Sequence, residues 1–141
     1  MNYDIDLIQI PANVLDQRFI KSGLLEEVKK RGIEIHCRSL FLQGLLLDRK
    51  MTLPKKLQPF KEDLSNFFNF CDFNNITPLM ASLMSIKQAS VIDYAVVGCV
   101  CKPQLQEIVI AYGKVNQLDR VIDFSQLAST NTVLLNPTLW N

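Results

Sequence analysis

The sequence predicts an α/β fold with parallel strands. Three short apolar runs of strand length each precede a stretch with helical spacing, which argues for strands joined by right-handed crossovers, either in a barrel or in an open doubly wound sheet. The 141 residues are 48% hydrophobic and 21% charged, enough for one domain over residues 1–141 and too apolar for disorder.

The first strand is placed over residues 4–11, where Ile5, Leu7, Ile8 and Ile10 make a nearly continuous apolar run that stops at Pro11. Such a run suits a parallel strand covered on both faces. After a turn at residues 12–16, one helix is predicted over residues 17–31, with Phe19, Ile20, Leu24, Leu25 and Val28 near helical spacing and Gly32 as its stop. Residues 33–38 form the second strand, followed by the apolar loop LFLQGLLL at residues 40–47.

Residues 48–59 carry four basic side chains and two prolines and read as an exposed connection without a regular element. Phe60, Leu64, Phe67, Phe68 and Cys71 then follow the pattern of an amphipathic helix over residues 60–74, an aromatic stripe suited to a core. Thr77 followed by Pro78 is a cap and first-turn signature, so a further helix is expected over residues 78–90. The third strand is read over residues 94–99 and its helix over residues 103–112, with Gly113 as the stop. The remaining tail has apolar anchors but no period and is expected to wrap over the surface.

Charge and cysteine usage narrow the function classes. Fifteen Lys and Arg against fourteen Asp and Glu leave a formal charge of +1, which offers no electrostatic footprint for nucleic acid. No run approaches the roughly 18 apolar residues of a membrane span, and the segment MNYDIDLIQIP shows no basic stretch ahead of a long apolar one, so no membrane partner is expected. Cys37, Cys71, Cys99 and Cys101 show neither a CxxC pair nor a secreted framework, and His36 is the only histidine. Free thiols, a cytoplasmic location and no bound metal are the expectations.

In parallel α/β folds, ligands sit beyond the carboxyl ends of the strands, and three such ends carry polar groups here. Gln9 interrupts an apolar run, and a buried amide must be hydrogen-bonded either by a structural network or by a ligand. Arg38 and Ser39 end the second strand with a planar cation and a hydroxyl, suited to a phosphate or to a plain ion pair. Gly98 ends the third, ahead of a helix whose first N–H groups suit an anion. Since GxGxxG, GxxxxGK[ST] and GxSxG are all missing, the residues by themselves lead to a parallel α/β unit with a phosphate-bearing ligand and no further.

Beyond that point the segments resemble the C-terminal half of an aldo-keto reductase. LIQIPANVLDQR at residues 7–18 resembles the sixth strand and its asparagine turn, GIEIHCRSLFLQGLL at residues 32–46 the seventh strand and loop, and DYAVVGCVCKPQLQEI at residues 93–108 the eighth strand and the start of its helix. Pro137 and Trp140 are similar to the ending of bacterial members found beside surface-polysaccharide genes. The resemblance implies a partial (β/α)8 TIM barrel comprising about the last three β/α units, and a role in NADP-dependent reduction of an aldehyde, ketone or sugar carbonyl. The family's catalytic Asp, Tyr, Lys and His have no counterpart here, so no catalytic residue is implied and the chain is expected to be inactive without an N-terminal half. It implies either that half or self-association as partner, with a non-catalytic binding or regulatory module as the alternative.

Residue by residue, the resemblance puts Gln9 on the nicotinamide carboxamide and Arg38 against the nicotinamide ring. Ser39, Leu40, Gln43, Gly44 and Leu45 match the pyrophosphate loop, and Gly98, Gln104 and Glu107 the adenosine end. Where many members carry Lys-Ser after the eighth strand, this chain has Cys99 and Val100, leaving Lys102 as the cation for an adenosine 2′-phosphate.

Overall fold

The computed structural model describes residues 4–140; residues 1–3 and 141 of the expected domain lie outside it. Three parallel strands, β1 (Leu7–Pro11), β2 (Glu34–Arg38) and β3 (Tyr94–Ala95), form one sheet in the order β1-β2-β3. Leu7 pairs with Glu34, Gln9 with His36 and Pro11 with Arg38, while His36 and Cys37 pair with Tyr94 and Ala95.

This architecture corrects the expected partial barrel. The sheet is small, about half of the chain is helical, and three barrel-like β/α units are not present, so the fold is only weakly α/β. The third strand, expected over residues 94–99, is two residues long. The Val96 N–H still reaches the Cys37 carbonyl at 2.7 Å, but β2 ends at Arg38 and offers nothing further to pair with. Barrel closure requires strand number, tilt and register to agree around a full circle, and segments that look like barrel strands one by one do not impose it.

Burial alternates along the strands instead of covering both faces. Ile10, Ile35 and Cys37 are buried beneath the helices, whereas Leu7, Gln9, Arg38 and Tyr94 are exposed on the other face. Gln9 is therefore solvated, and no buried amide has to be satisfied there.

The expected first helix is two: α1 (Arg18–Lys21) and α2 (Leu24–Lys30), separated at Gly23, whose φ of 74° no helix continues through. Ser22 holds the break, its hydroxyl donating to the Phe19 carbonyl and accepting from the Leu24 N–H. Gly32, at φ 75°, ends α2 as expected. The basic connection contains a 3-10 helix at Lys55–Phe60 that plugs the fully buried Leu57 into the core.

Helix α3 (Lys61–Phe73) buries Leu64, Phe67, Phe68 and Cys71, the stripe read from spacing. Helix α4 (Pro78–Lys87) starts where the cap signature puts it, the Thr77 hydroxyl accepting from the Met80 N–H. It is buried on most sides through Leu79, Ala81, Ser82, Leu83, Met84 and Ile86, as a helix at the centre of a core must be. Helix α5 (Lys102–Gln117) runs straight through Gly113. A mid-helix glycine costs about 1 kcal/mol relative to alanine, which the buried anchors Ala111 and Val115 on either side offset.

The tail does more than wrap the surface. Ile122, Phe124, Leu134 and Leu135 are buried, the last two on helix α6 (Thr132–Leu135). The Gln88 amide bonds Ile122 in both directions, and Gln17 donates to the Phe124 carbonyl at 2.8 Å.

Asp93 ties the helical layer to the sheet at the entrance to β3. It accepts from Lys29 Nζ at 2.7 and 2.8 Å and from the Ile35 N–H at 2.8 Å. The Lys29 ammonium, and then the Ile35 N–H, hold its carboxyl below the usual value of 3.8. A carboxyl lowered on folding adds stability above its unfolded value, and that contribution is lost as pH falls through the folded one. Asp93→Asn is therefore expected to be less stable than the parent at neutral pH, with the two denaturation midpoints converging as pH drops below 3.8; midpoints that stay equally separated down to the acid transition would refute this role.

Candidate functional site

The sheet's carboxyl ends open on a cleft of about 620 Å³, within the range of small-molecule sites. Ser39, Leu40, Gln43, Gly44, Gly98, Gln104 and Glu107 all line it, brought together from segments far apart in sequence. Leu47, Val97 and Ile108 add apolar wall, and Thr77, Pro78 and Leu79 add the first turn of α4.

The other three residues marked in the sequence lie elsewhere. Gln9 is on the open face of the sheet, two register positions from Arg38, and does not line the cleft. Arg38 shares that face and does not line the cleft, although its Nη1 donates to the hydroxyl of Ser39, which does, at 3.1 Å. Leu45 is 1% exposed and sits in the core, so it serves packing.

The loop between β2 and the cleft is backbone-strained. Ser39, Leu42 and Gln43 have φ of 66°, 45° and 53°, and Gly44 follows at 87°. Left-handed non-glycine residues cost about 1–3 kcal/mol each and persist only where the surroundings over-determine them. Here Leu42 plugs the core at 0% exposed, while the Leu42 and Gly44 N–H groups bond the Ser39 and Phe41 carbonyls.

Two helix N-termini meet at this cleft. Helix α5 begins at Cys101, which makes no side-chain cap bond, and Pro103 supplies no N–H. Gln104 Oε1 accepts from the Val100 N–H at 2.9 Å, leaving its NH2 as the donor end. Helix α4 begins on the opposite wall at Thr77 and packs against α5. Both positive dipole ends thus favour an anion in the same space. The neighbouring groove of about 550 Å³ between β3 and α5 is different, because its charged groups already have partners: Lys87 on the Val115 carbonyl and Asp93 on Lys29.

Sequence reading missed the α4 wall. The Thr77-Pro78 cap was legible, but nothing local says that this turn faces the loop after β2. It also gave no hint of the trio on the open face, where His36 Nε2 meets Glu34 Oε1 and its ring stands edge-on to Tyr94 at 5.0 Å. Neither His36 nor Tyr94 lines the cleft.

All four cysteines are free. Burial pushes the Cys37 and Cys71 thiols up to about 12, so both stay protonated and inert at neutral pH. Cys99 and Cys101 are exposed, Cys99 on the cleft wall. Among the described residues no three His, Cys, Asp or Glu side chains are grouped to hold a metal, and no helix is long and apolar enough to cross a membrane.

No protein-family model and no curated protein matches the sequence.

Proposed function

We propose that the cleft binds NADP(H), and that the chain is the carboxyl-terminal, cofactor-binding part of an aldo-keto reductase, without carbonyl-reducing activity of its own. The observation that carries this is the convergence of the strained loop after β2 and two helix N-termini on one cleft. The donors suit a dinucleotide: the Ser39 hydroxyl and the Gln43 amide at one wall, the first turns of α4 and α5 at the others, with Arg38 hydrogen-bonded to Ser39. Leu47, Val97 and Ile108 suit a ring system, and the Glu107 carboxylate suits an amino group such as that of adenine.

NADPH, when bound, supplies a hydride. The chain's own residues bind phosphate and orient rings, but no acid in the cleft is placed to protonate a carbonyl oxygen, because Glu107 stands at the end assigned to adenine. A complementary amino-terminal portion would bring the acid. The free edges of β1 and β3, with exposed Leu7, Tyr94 and Val96 beside Leu105 and Val109 of α5, are surfaces for that portion or for a second copy of the chain. Reduced thiols and a nicotinamide cofactor fit a cytoplasmic setting.

Titration of the chain into NADPH tests the reading. A saturable change in nicotinamide fluorescence, with no NADPH oxidation across a panel of aldehydes, ketones and sugars, is the expected result. A flat titration would refute the binding site, and turnover above the buffer blank would refute the missing acid.

A further inference from the structure

The turn after β1 is buried, which is unusual for a loop. Ala12, Asn13, Val14, Leu15 and Asp16 are all at or below 1% exposed, whereas connections normally run over the surface. Asn13 is the centre of the arrangement. Its Oδ1 accepts from the Leu15 and Asp16 N–H groups, both at 3.0 Å, and its Nδ2 donates across 26 residues of chain to the Ser39 carbonyl at 3.2 Å.

The orientation of this amide is fixed by its neighbours. Two backbone N–H groups can only donate and the Ser39 carbonyl can only accept, so the oxygen must face the turn and the nitrogen must face Ser39. An Asx turn needs only the acceptor, which Asp or Ser also provides. The donor is the surplus, and it is spent on the residue at φ 66° that opens the cleft loop. The same carbonyl also receives the Leu42 N–H at 3.0 Å, so Asn13 and the loop grip Ser39 from two sides. Alongside, the Ala12 N–H donates to the Arg38 carbonyl at 3.1 Å and Cys37 Sγ to the Ala12 carbonyl at 3.3 Å, zipping the two strand ends together.

We propose that Asn13 is a positioning residue of the cleft: its buried amide holds Ser39 in the left-handed conformation and thereby presents the 39–44 loop to the ligand's phosphate. It touches no ligand itself. Its consequence for affinity rests on the cofactor reading above, whereas its hold on Ser39 does not.

Asn13→Asp keeps the acceptor and removes the donor; should the aspartate prevent folding, Asn13→Ser is the uncharged substitute, its single short hydroxyl unable to accept from the turn and also span to the Ser39 carbonyl as the two-ended amide does. In the folded variant, hydrogen exchange at the Leu42 amide is expected to quicken at least tenfold, while the amides of β1 and β2 keep their protection, and the NADPH dissociation constant is expected to rise at least tenfold. Adding Ser39→Gly, which accepts φ 66° without strain, should slow the Leu42 exchange again, a rescue that a general loss of packing would not show. Unchanged Leu42 exchange in a folded variant overturns the proposal, as does quickened exchange with undiminished NADPH affinity. If the parent chain binds no NADPH, the cofactor reading falls alone, and the Leu42 exchange with its glycine rescue still decides whether Asn13 holds Ser39.

Discussion

Phe67→Ala is expected to cost about 3–5 kcal/mol of stability, the range for emptying a fully buried aromatic site. Phe67 is 0% exposed and, among the described residues, the largest completely buried side chain, its ring 5.3 Å from that of Phe68 on the same helix. It is enclosed on all sides, so the neighbours cannot collapse into the space without shifting backbone. With total stability for a domain of this kind on the order of 5–15 kcal/mol, the loss would remove a large share of it. Phe73, two turns along α3 and 89% exposed, is the control: Phe73→Ala should stay within about 0.5 kcal/mol. Chemical denaturation of the two variants checks the pair, and similar midpoints would show that the core is not centred on α3.

The double variant Arg38→Ala, Ser39→Ala is expected to weaken NADPH binding by about 10–100-fold. The two side chains form one unit, the guanidinium donating to the hydroxyl at 3.1 Å, so either single change leaves the other group displaced. Hydrogen bonds to a charged group are worth about 1.5–3 kcal/mol, and each 1.4 kcal/mol is about tenfold in affinity. Because Arg38 is exposed and solvated, salt should weaken the parent's binding more than the variant's. Equal affinities for parent and variant would remove the loop after β2 from the site.

What was legible in the sequence was mostly local. The Leu64, Phe67, Phe68 and Cys71 stripe and the Thr77-Pro78 cap depend on spacing within one helix, and both stand as read. Gly32 and Gly113 look alike on paper, yet one ends a helix at φ 75° and the other sits inside α5, because the choice depends on what flanks them in space. The length of β3 depends on where β2 stops, which no residue of β3 encodes.

The cleft shows the same division. Ser39 stands out because a hydroxyl at a strand end is conspicuous against apolar runs, whereas Gln43 and Gln104 are marked only by the resemblance to aldo-keto reductases. Leu45 is grouped with them by the same resemblance, although one residue past Gly44 the chain has turned its side chain into the core. Gln9 was marked for an expected burial that a one-sided sheet does not impose. Asn13 passed as an ordinary turn residue, since its second hydrogen bond reaches a residue 26 positions away.

Backbone hydrogen exchange with and without saturating NADPH tests most directly whether the cleft is the cofactor site. Slower exchange is expected in two separate segments, residues 39–47 and 98–108, which line the cleft together, with residues 118–140 unaffected. Protection confined to the open sheet face around Gln9 and His36, or no change anywhere at saturating cofactor, would contradict it.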